Sequence, residues 1–278
     1  MNYQIKSITA QNGGPTTFNG TNTYILGNNN LIIIDPGPDD NQHLENILRN
    51  VENKNVEHII VTHTHKDHST LANKLAEITG AKKIGSTKYF IKNQEKNSII
   101  NFDTEFTPDI YLIDQMVIKT EDLILKALHT PGHTSDHFCF KEETKSKIFT
   151  GDHIMGWSST LVSPPDGNMG DYIESLNRII DQGNNEYFPG HGDKITDGKR
   201  YTEKLLQHRT NRKQRIHELI TLGNKNAEEL TSYIYKDIDT RLLKYATLTI
   251  LAHLIDLEKE NFIKSDGTNN TETKYRKI

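Results

Sequence analysis

The chain reads as an α+β protein, a strand-rich body with interspersed helices followed by a smaller helical unit. Three observations predict this. Short apolar runs punctuated by Gly, Pro and Asn recur through residues 1–193, helix-spaced apolar residues fill only some of the gaps, and beyond Gly198 the pattern turns to long polar helices. The order is not a strict β-α-β series, so sheets covered by helices are expected, with function at the strand ends.

The elements follow in order. TYILG (23–27) and LIIIDPG (31–37) flank Asn28–Asn30 and predict a hairpin that stops at Pro36-Gly37. A polar stretch then sets Leu44, Ile47, Leu48 and Val51 at helical spacing. HIIVTHT is a buried strand running into a histidine-rich loop, and STLANKLAEITG puts Leu71, Leu75 and Ile78 on one helix face with Gly80 as C-cap. KKIGST, YLID, VIKT, LILKALHT, DHFCF and KIFTGD predict further strands, DYIESLNRIID a helix, and EYFPGHG a short strand. The segment KRYTEKLLQHRTNRKQRIHELITLG is a long polar helix, NAEELTSYIY a second with Asn226 as N-cap, and Arg241 to Glu260 a third. NFIKSDGTNNTETKYRKI closes the chain as strand, turn and strand. Three helices and a hairpin make a winged-helix unit, so the expected division is 1–197 and 198–278. That shape serves nucleic-acid contact or packing equally well.

Composition narrows the setting. The 278 residues carry a net charge of -4 and one cysteine, Cys139, which leaves no intrachain disulfide and no multi-thiolate metal site. With no membrane-length apolar run and no apolar leader, a cytoplasmic protein is expected, an organelle matrix being equally compatible with the sequence. The charge is uneven. Residues 1–193 hold 16 basic and 25 acidic side chains, whereas residues 194–215 hold 8 basic and 2 acidic. A local positive belt can attract a polyanion that the whole chain repels.

The chemistry concentrates in His63-Thr-His65-Lys-Asp67-His68, three imidazoles and a carboxylate directly after an apolar strand. Alternating histidines in extended chain reach one ion, and Asp67 with His68, at the turn into a helix, face a second. Matching donors close other strands: His133 in LHTPGHTSDH, Asp152 in FTGDH and His191 in YFPGHG, each beside a glycine that permits close approach. The best partition gives His63, His65 and His133 to one metal and Asp67, His68 and His191 to the other, with Asp152 bridging. Such ligands suit two zinc ions, and iron or manganese also accept them. A metal pair sharing one water lowers its pKa from about 15.7 toward neutrality. The resulting bridging hydroxide predicts a hydrolase of acyl or phosphoryl compounds.

This set resembles the His-x-His-x-Asp-His signature of the metallo-β-lactamase superfamily, with all seven ligands present. The resemblance implies an αβ/βα sandwich over roughly residues 1–195 and a supporting role for Asp35 in LIIIDPG. FNGTNTYILG, GDHIMGWSSTLVSPPDGNMGDYIESL, YFPGHG and HRTNRKQRI further resemble the β-lactamase-like protein 2 branch, whose members carry a C-terminal winged-helix domain. Its vertebrate member is an endoribonuclease specific for single strands. Single-stranded RNA is therefore the expected substrate. The alternative is thioester or other acyl hydrolysis of the hydroxyacylglutathione hydrolase type on a small molecule, with the tail serving packing or homodimer formation. A nucleic-acid-binding module with a spent metal site is disfavoured by the complete ligand set. The absence of a cysteine ligand separates the chain from the commonest secreted zinc β-lactamases.

Other residues have expected roles around this centre. Asp67 and Asp152 act at the reaction through the metals, and His137, four residues after His133, is a candidate acid for the leaving group or a support for a ligand. Thr21, Asn22 and Thr23 of the GTNTY turn could hold a substrate oxygen, and Trp157 could stack on a base. On the positive helix, His208 lies above Arg212 and Arg209 above Lys213, a face expected to attract phosphate. His153 and Lys66 are expected to point away from the metals.

Overall fold

A computed structural model describes residues 3–86 and 101–278. Thr87, the last residue of the expected KKIGST strand, lies outside them. Two compact units divide the chain. The first comprises Met1–Thr130, Asp136–Ser158 and Asn184–Gly198; the second comprises Pro131–Ser135, Ser159–Gly183 and Lys199–Ile278. The segments 131–135 and 159–183 thus group with the C-terminal residues, although they fall inside the expected span 1–197.

The first unit contains two sheets. One holds β1 (Gln4–Thr9), β2 (Asn22–Gly27), β3 (Asn30–Ile34), β4 (Asn55–Ile60), β5 (Lys82–Gly85) and β6 (Ile110–Tyr111), hydrogen-bonded in chain order. Its first three strands are antiparallel and the rest are parallel. The other is ordered β11-β10-β9-β8-β7, from β7 (Val117–Lys119), β8 (Ile124–His129), β9 (Phe138–Glu142), β10 (Lys147–Gly151) and β11 (Glu186–Pro189). β10 and β11 run parallel.

The run LIII in β3 shows why this part of the chain is apolar without alternation. Ile32 and Ile34 enter a core shared by the two sheets, with Leu26, Ile60, Ile84, Leu125, Phe140 and Phe149. Leu31 and Ile33 point the opposite way, onto α1 (Asn41–Val51) and onto α3 (Leu71–Thr79), which follows the single-turn α2 (Lys66–Ser69), through Leu44, Ile47, Leu71 and Leu75. A strand covered on both faces needs no polar side. Both helix ends follow local chemistry. Asp40 accepts the His43 N–H at 2.6 Å, and Gly80 ends α3 in the left-handed conformation. One strand is unannounced by sequence: β1 pairs along β2 at the sheet edge, and its exposed polar residues conceal it.

The second unit holds α4 (Met169–Ile180), most of α5 (Gly198–Thr221), α6 (Ala227–Ile234), α7 (Leu243–Lys259) and a hairpin of β12 (Ile263–Ser265) with β13 (Tyr275–Lys277). Ile216 and Ile220 of α5, Leu230 of α6, Ile250 and Leu254 of α7, and Tyr275 of the hairpin form its buried core. The expected N-cap is realised as a full capping box, Asn226 and Glu229 each satisfying the other's backbone N–H. The third helix departs from expectation. A 3-10 turn at Thr240–Leu242, capped by Asp239, precedes α7. Among the described residues, no helix is long and apolar enough to cross a membrane.

Part of the positive belt is drawn into this packing: Arg209, Arg212 and Lys213 of the expected phosphate-attracting face are engaged within the unit, whereas Lys194, Lys199, Arg200, Lys204 and Arg215 stay exposed. Arg209 is only 1% exposed, donates to the Thr160 carbonyl and lies over the Tyr172 ring. Lys213 is held by Asp256 at 2.7 Å and Glu260 at 2.6 Å. Arg212 stacks over Tyr235 at 4.3 Å. Arg209 and Arg212 therefore turn their guanidinium faces to aromatic rings. The i,i+4 arithmetic placed these residues correctly along the helix but could not tell which stripe would be buried.

One consequence is measurable. Burial holds the fully enclosed His253 of α7 well below its ordinary pKa, and Arg209, Arg212, Lys213 and His208 of α5 add to the effect. The carboxylates of its own helix are Asp256, already engaged by Lys213, and Glu258, which accepts the Ser265 N–H. The neutral ring is favoured in the folded chain, so the unfolded chain binds the extra proton below pH about 6.5. Stability is expected to fall as pH drops from about 7 toward about 5, and His253→Gln should flatten that slope. Thermal unfolding of both proteins across this range checks it; parallel slopes would contradict it.

Candidate metal centre

Parallel neighbours bring their carboxyl ends together, and this places the first half of the centre. The Asp35 N–H donates to the Ile60 carbonyl at 2.8 Å, so the residue after β3 lies beside the loop after β4. Asp35 has a positive φ of 51° and is 2% exposed. Its Oδ1 accepts the Thr62 N–H, while Oδ2 accepts the Thr62 hydroxyl and faces His68 Nδ1, all at 2.8 Å. Thr64, between two histidines, donates from N and Oγ1 to Asp136 Oδ2 at 3.0 and 2.7 Å. The loop is thus fixed at every second residue, with its histidines turned to the other side.

The parallel pair β10 and β11 supplies the second half. The Gly190 N–H donates to the Gly151 carbonyl at 2.8 Å, setting Asp152 beside His191. Both glycines are required by close approach. A Cβ on Gly151, whose φ is +47°, would lie 2.6 Å from His137 Nε2, and one on Gly190 would lie 2.6 Å from Asp152 Oδ1.

The donors converge in two groups. Ligand atoms of His63, His65 and Asp152 lie within 4.8 Å of one another, as do those of Asp67, His68 and His191. His63 Nε2 faces His65 Nδ1 at 2.9 Å. Asp152 reaches both groups, its Oδ1 standing 3.4 Å from His68 Nε2 and its Oδ2 3.3 Å from His191 Nε2. Asp67 Oδ2 stands 3.2 Å from His191 Nε2. His133 sits in the turn Pro131–Ser135 of the second unit, with Nδ1 at 2.7 Å from the Leu161 carbonyl and 3.0 Å from Thr160 Oγ1.

Electrostatics favour cation binding here. Burial alone would raise the carboxyl pKa values and lower those of the imidazoles, but mutual attraction prevails. His68 and His191 hold Asp152 well below the usual carboxylate range and lower Asp67 as well. Asp152 and Asp67 in turn raise His68 well above its ordinary value and His191 to about 10. The imidazolium protons occupy positions that a divalent cation can take instead.

The residues fit a metal pair by a further test. Histidine ligands characteristically anchor the nitrogen that does not face the ion. Thr62 Oγ1 engages His63 Nδ1 at 3.0 Å, Asp35 engages His68 Nδ1, and the Gly20 carbonyl takes His191 Nδ1 at 3.0 Å. His133 is anchored at Nδ1 in the same manner. Asp35, for which the resemblance implies a supporting role, is one of these anchors.

Several expected roles are corrected. His137 is fully buried; its Nε2 accepts the Asp152 N–H at 3.1 Å and its Nδ1 pairs with Thr130 Oγ1 at 2.9 Å. It holds the Asp152 backbone, the second of the two roles expected of it. Thr21, also fully buried, donates to Asp67 Oδ2 at 3.3 Å, and Asn22 binds the Pro189 and Gly192 carbonyls at 3.1 and 2.9 Å. Both brace ligand loops, because a turn wedged between strand ends commits its donors to neighbouring chain. Thr23 likewise donates to the Asp35 carbonyl. His153 is buried and Lys66 exposed. Asp136 and Phe18 were missed. Asp136 is a lone carboxylate in HTSDH whose partner, Thr64, lies 72 residues away, and Phe18 shows nothing unusual in sequence.

Comparison with known proteins agrees with this geometry. The Metallo-beta-lactamase superfamily profile matches residues 16–191, and the Beta-lactamase associated winged helix domain profile matches residues 227–272. A Beta-lactamase-like protein 2 homolog of Caenorhabditis elegans is 31% identical over 82% of this chain and 73% of its own. An atrochrysone carboxyl ACP thioesterase of Claviceps purpurea is 28% identical over 86% of this chain and 72% of its own. A metallo-beta-lactamase family protein of Thermus thermophilus shares the fold, with a TM-score of 0.79, 21% identity and coverage of 99% and 98% of the two chains.

Proposed function

The chain belongs to the metallo-beta-lactamase superfamily, with the associated winged helix domain at its C-terminal end, and from that premise we propose that it is a dinuclear metal-dependent hydrolase cleaving phosphodiester bonds of single-stranded RNA. The observation that carries the hydrolase reading is Asp152, whose two oxygens face histidines of one donor group while it belongs to the other. His63, His65 and His133 would hold one ion, Asp67, His68 and His191 the other, and Asp152 both. Imidazole and carboxylate donors of this kind suit zinc. When bound, the two cations would supply an activated water and charge neutralisation at the scissile group.

The protein's own part is placement. Asp35 orients His68, Gly20 orients His191, and His137 fixes the Asp152 backbone. RNA as the substrate is supported by the motif resemblance to the β-lactamase-like protein 2 branch, whose vertebrate member cleaves single-stranded RNA, and a homolog of that name is similar to this chain over 82% of its length. The similarity to an acyl carrier protein thioesterase favours a second reading, hydrolysis of a thioester by the same groups.

One experiment separates them. The zinc-loaded protein and an Asp152→Ala control are incubated with end-labelled single-stranded RNA and, in parallel, with an acyl thioester. Internal RNA cuts absent from the control are expected. Intact RNA beside thioester turnover by the metal-loaded protein would replace the first reading with the second.

A further inference from the structure

Two aromatic rings at the edge of this centre have no part in either donor group. Phe18 and Trp157 stack with centroids 5.1 Å apart and planes 14° from parallel. They branch from the two loops that clasp His191. Gly20, two residues after Phe18, gives its carbonyl to His191 Nδ1, and the Gly156 N–H, one residue before Trp157, donates to the His191 carbonyl at 2.8 Å.

Phe18 is held there at a cost. It is 40% exposed, and its φ of 53° is a conformation that bulky side chains avoid. Paired backbone hydrogen bonds with Gly14, at 2.9 and 3.0 Å, impose it. Strained backbone that displays a large aromatic ring beside a reactive centre is a feature associated with ligand contact. Trp157 adds a polar feature, since its buried indole N–H has no hydrogen-bond partner. A neighbouring groove has a mixed lining, with Ile5, Tyr24 and Phe188 beside Asn19, Asp193 and Lys194, the amine paired with Glu186. An exposed, flat ring face suits a planar heterocycle.

We propose that the Phe18–Trp157 pair is a stacking platform that takes one base of a single-stranded nucleic acid next to His191. This rests on the RNA reading above and adds to it the feature that would bind the substrate base. Stacking is available to every base, so the platform would confer strand binding with little sequence preference.

Trp157 is the sole tryptophan of the chain, so intrinsic indole fluorescence reports on this position alone. The full-length Asp152→Ala protein is titrated with an oligouridylate of about 12 nucleotides, a length within the site size of single-strand binders, and with an abasic oligoribose phosphate of equal length. Saturable quenching by the base-bearing strand alone is expected. Phe18→Leu should weaken that binding by about tenfold, within the range of one lost stack, and Phe18→Tyr should restore it. In the otherwise wild-type enzyme, Phe18→Leu should raise KM by a similar factor with little change in kcat. Equal quenching by the abasic strand, or an unaltered affinity in Phe18→Leu, overturns the platform. RNA cleavage with an unchanged KM in Phe18→Leu overturns the platform alone. Base-dependent quenching without any cleavage by the wild type overturns the cleavage reading alone, and loss of both overturns both.

Discussion

Replacing Asp152 with alanine is expected to reduce hydrolysis by at least about a thousandfold, as several kcal/mol of transition-state stabilisation would disappear with the metal pair. Asp152 is the carboxylate that meets His68 and His191 while belonging with His63 and His65. Its removal leaves two buried imidazoles without their principal counter-charge, so His191 should also lose much of the attraction that raises it to about 10. Asp152→Asn separates charge from shape, because the amide fills the same space. Metal content per chain, measured by plasma emission beside the rate, decides the result. Both variants should bind fewer than two ions. Full metal content with undiminished turnover in either would show that Asp152 does not hold the ions.

Asp35→Asn is the second large effect, expected in affinity before rate. The substitution is nearly isosteric, and asparagine tolerates the left-handed conformation found at this position, φ 51°. What changes is the acceptor facing His68 Nδ1 at 2.8 Å. A carboxylate there fixes the ring orientation and raises the basicity of Nε2, and losing such a partner typically costs about 10–100-fold in metal affinity. Competition with a chromophoric chelator measures it, and the ion held by Asp67, His68 and His191 should be the weakened one. Unchanged affinity would confine Asp35 to bracing the Thr62 turn.

The ligands were readable because each lies within a few residues of a strand end that announces itself. HIIVTHT, FTGDH and YFPGHG all pair an apolar run with a glycine or histidine turn, and β4, β10 and β11 sit close to where those runs place them. The helix ends at Asp40, Gly80 and Asn226 are similarly local, being decided by one side chain or one φ value. β1 was not readable. It owes its existence to β2, and only Ile5 and Ile8 among its residues turn partly toward the cores.

The same distinction explains the misassigned polar residues. Thr21, Asn22 and His137 have the chemistry of substrate-binding groups, and sequence cannot show that Asp67, Pro189 and Asp152 already engage them. Arg209 shows it most clearly. Its place in a basic run suggested solvent and phosphate, whereas packing against Tyr172 and a hydrogen bond to Thr160 bury it.

By itself the sequence determined the strand-and-helix texture, the set of candidate metal donors and the family, because period, spacing and donor type are properties of neighbouring residues. Only the tertiary structure decided which polar groups remain available. That depends on partners tens of residues distant, brought within hydrogen-bond reach when parallel strands align their ends. It also brought Phe18 and Trp157 face to face from distant parts of the first unit, a pairing set by the two loops around His191 and by no local signal.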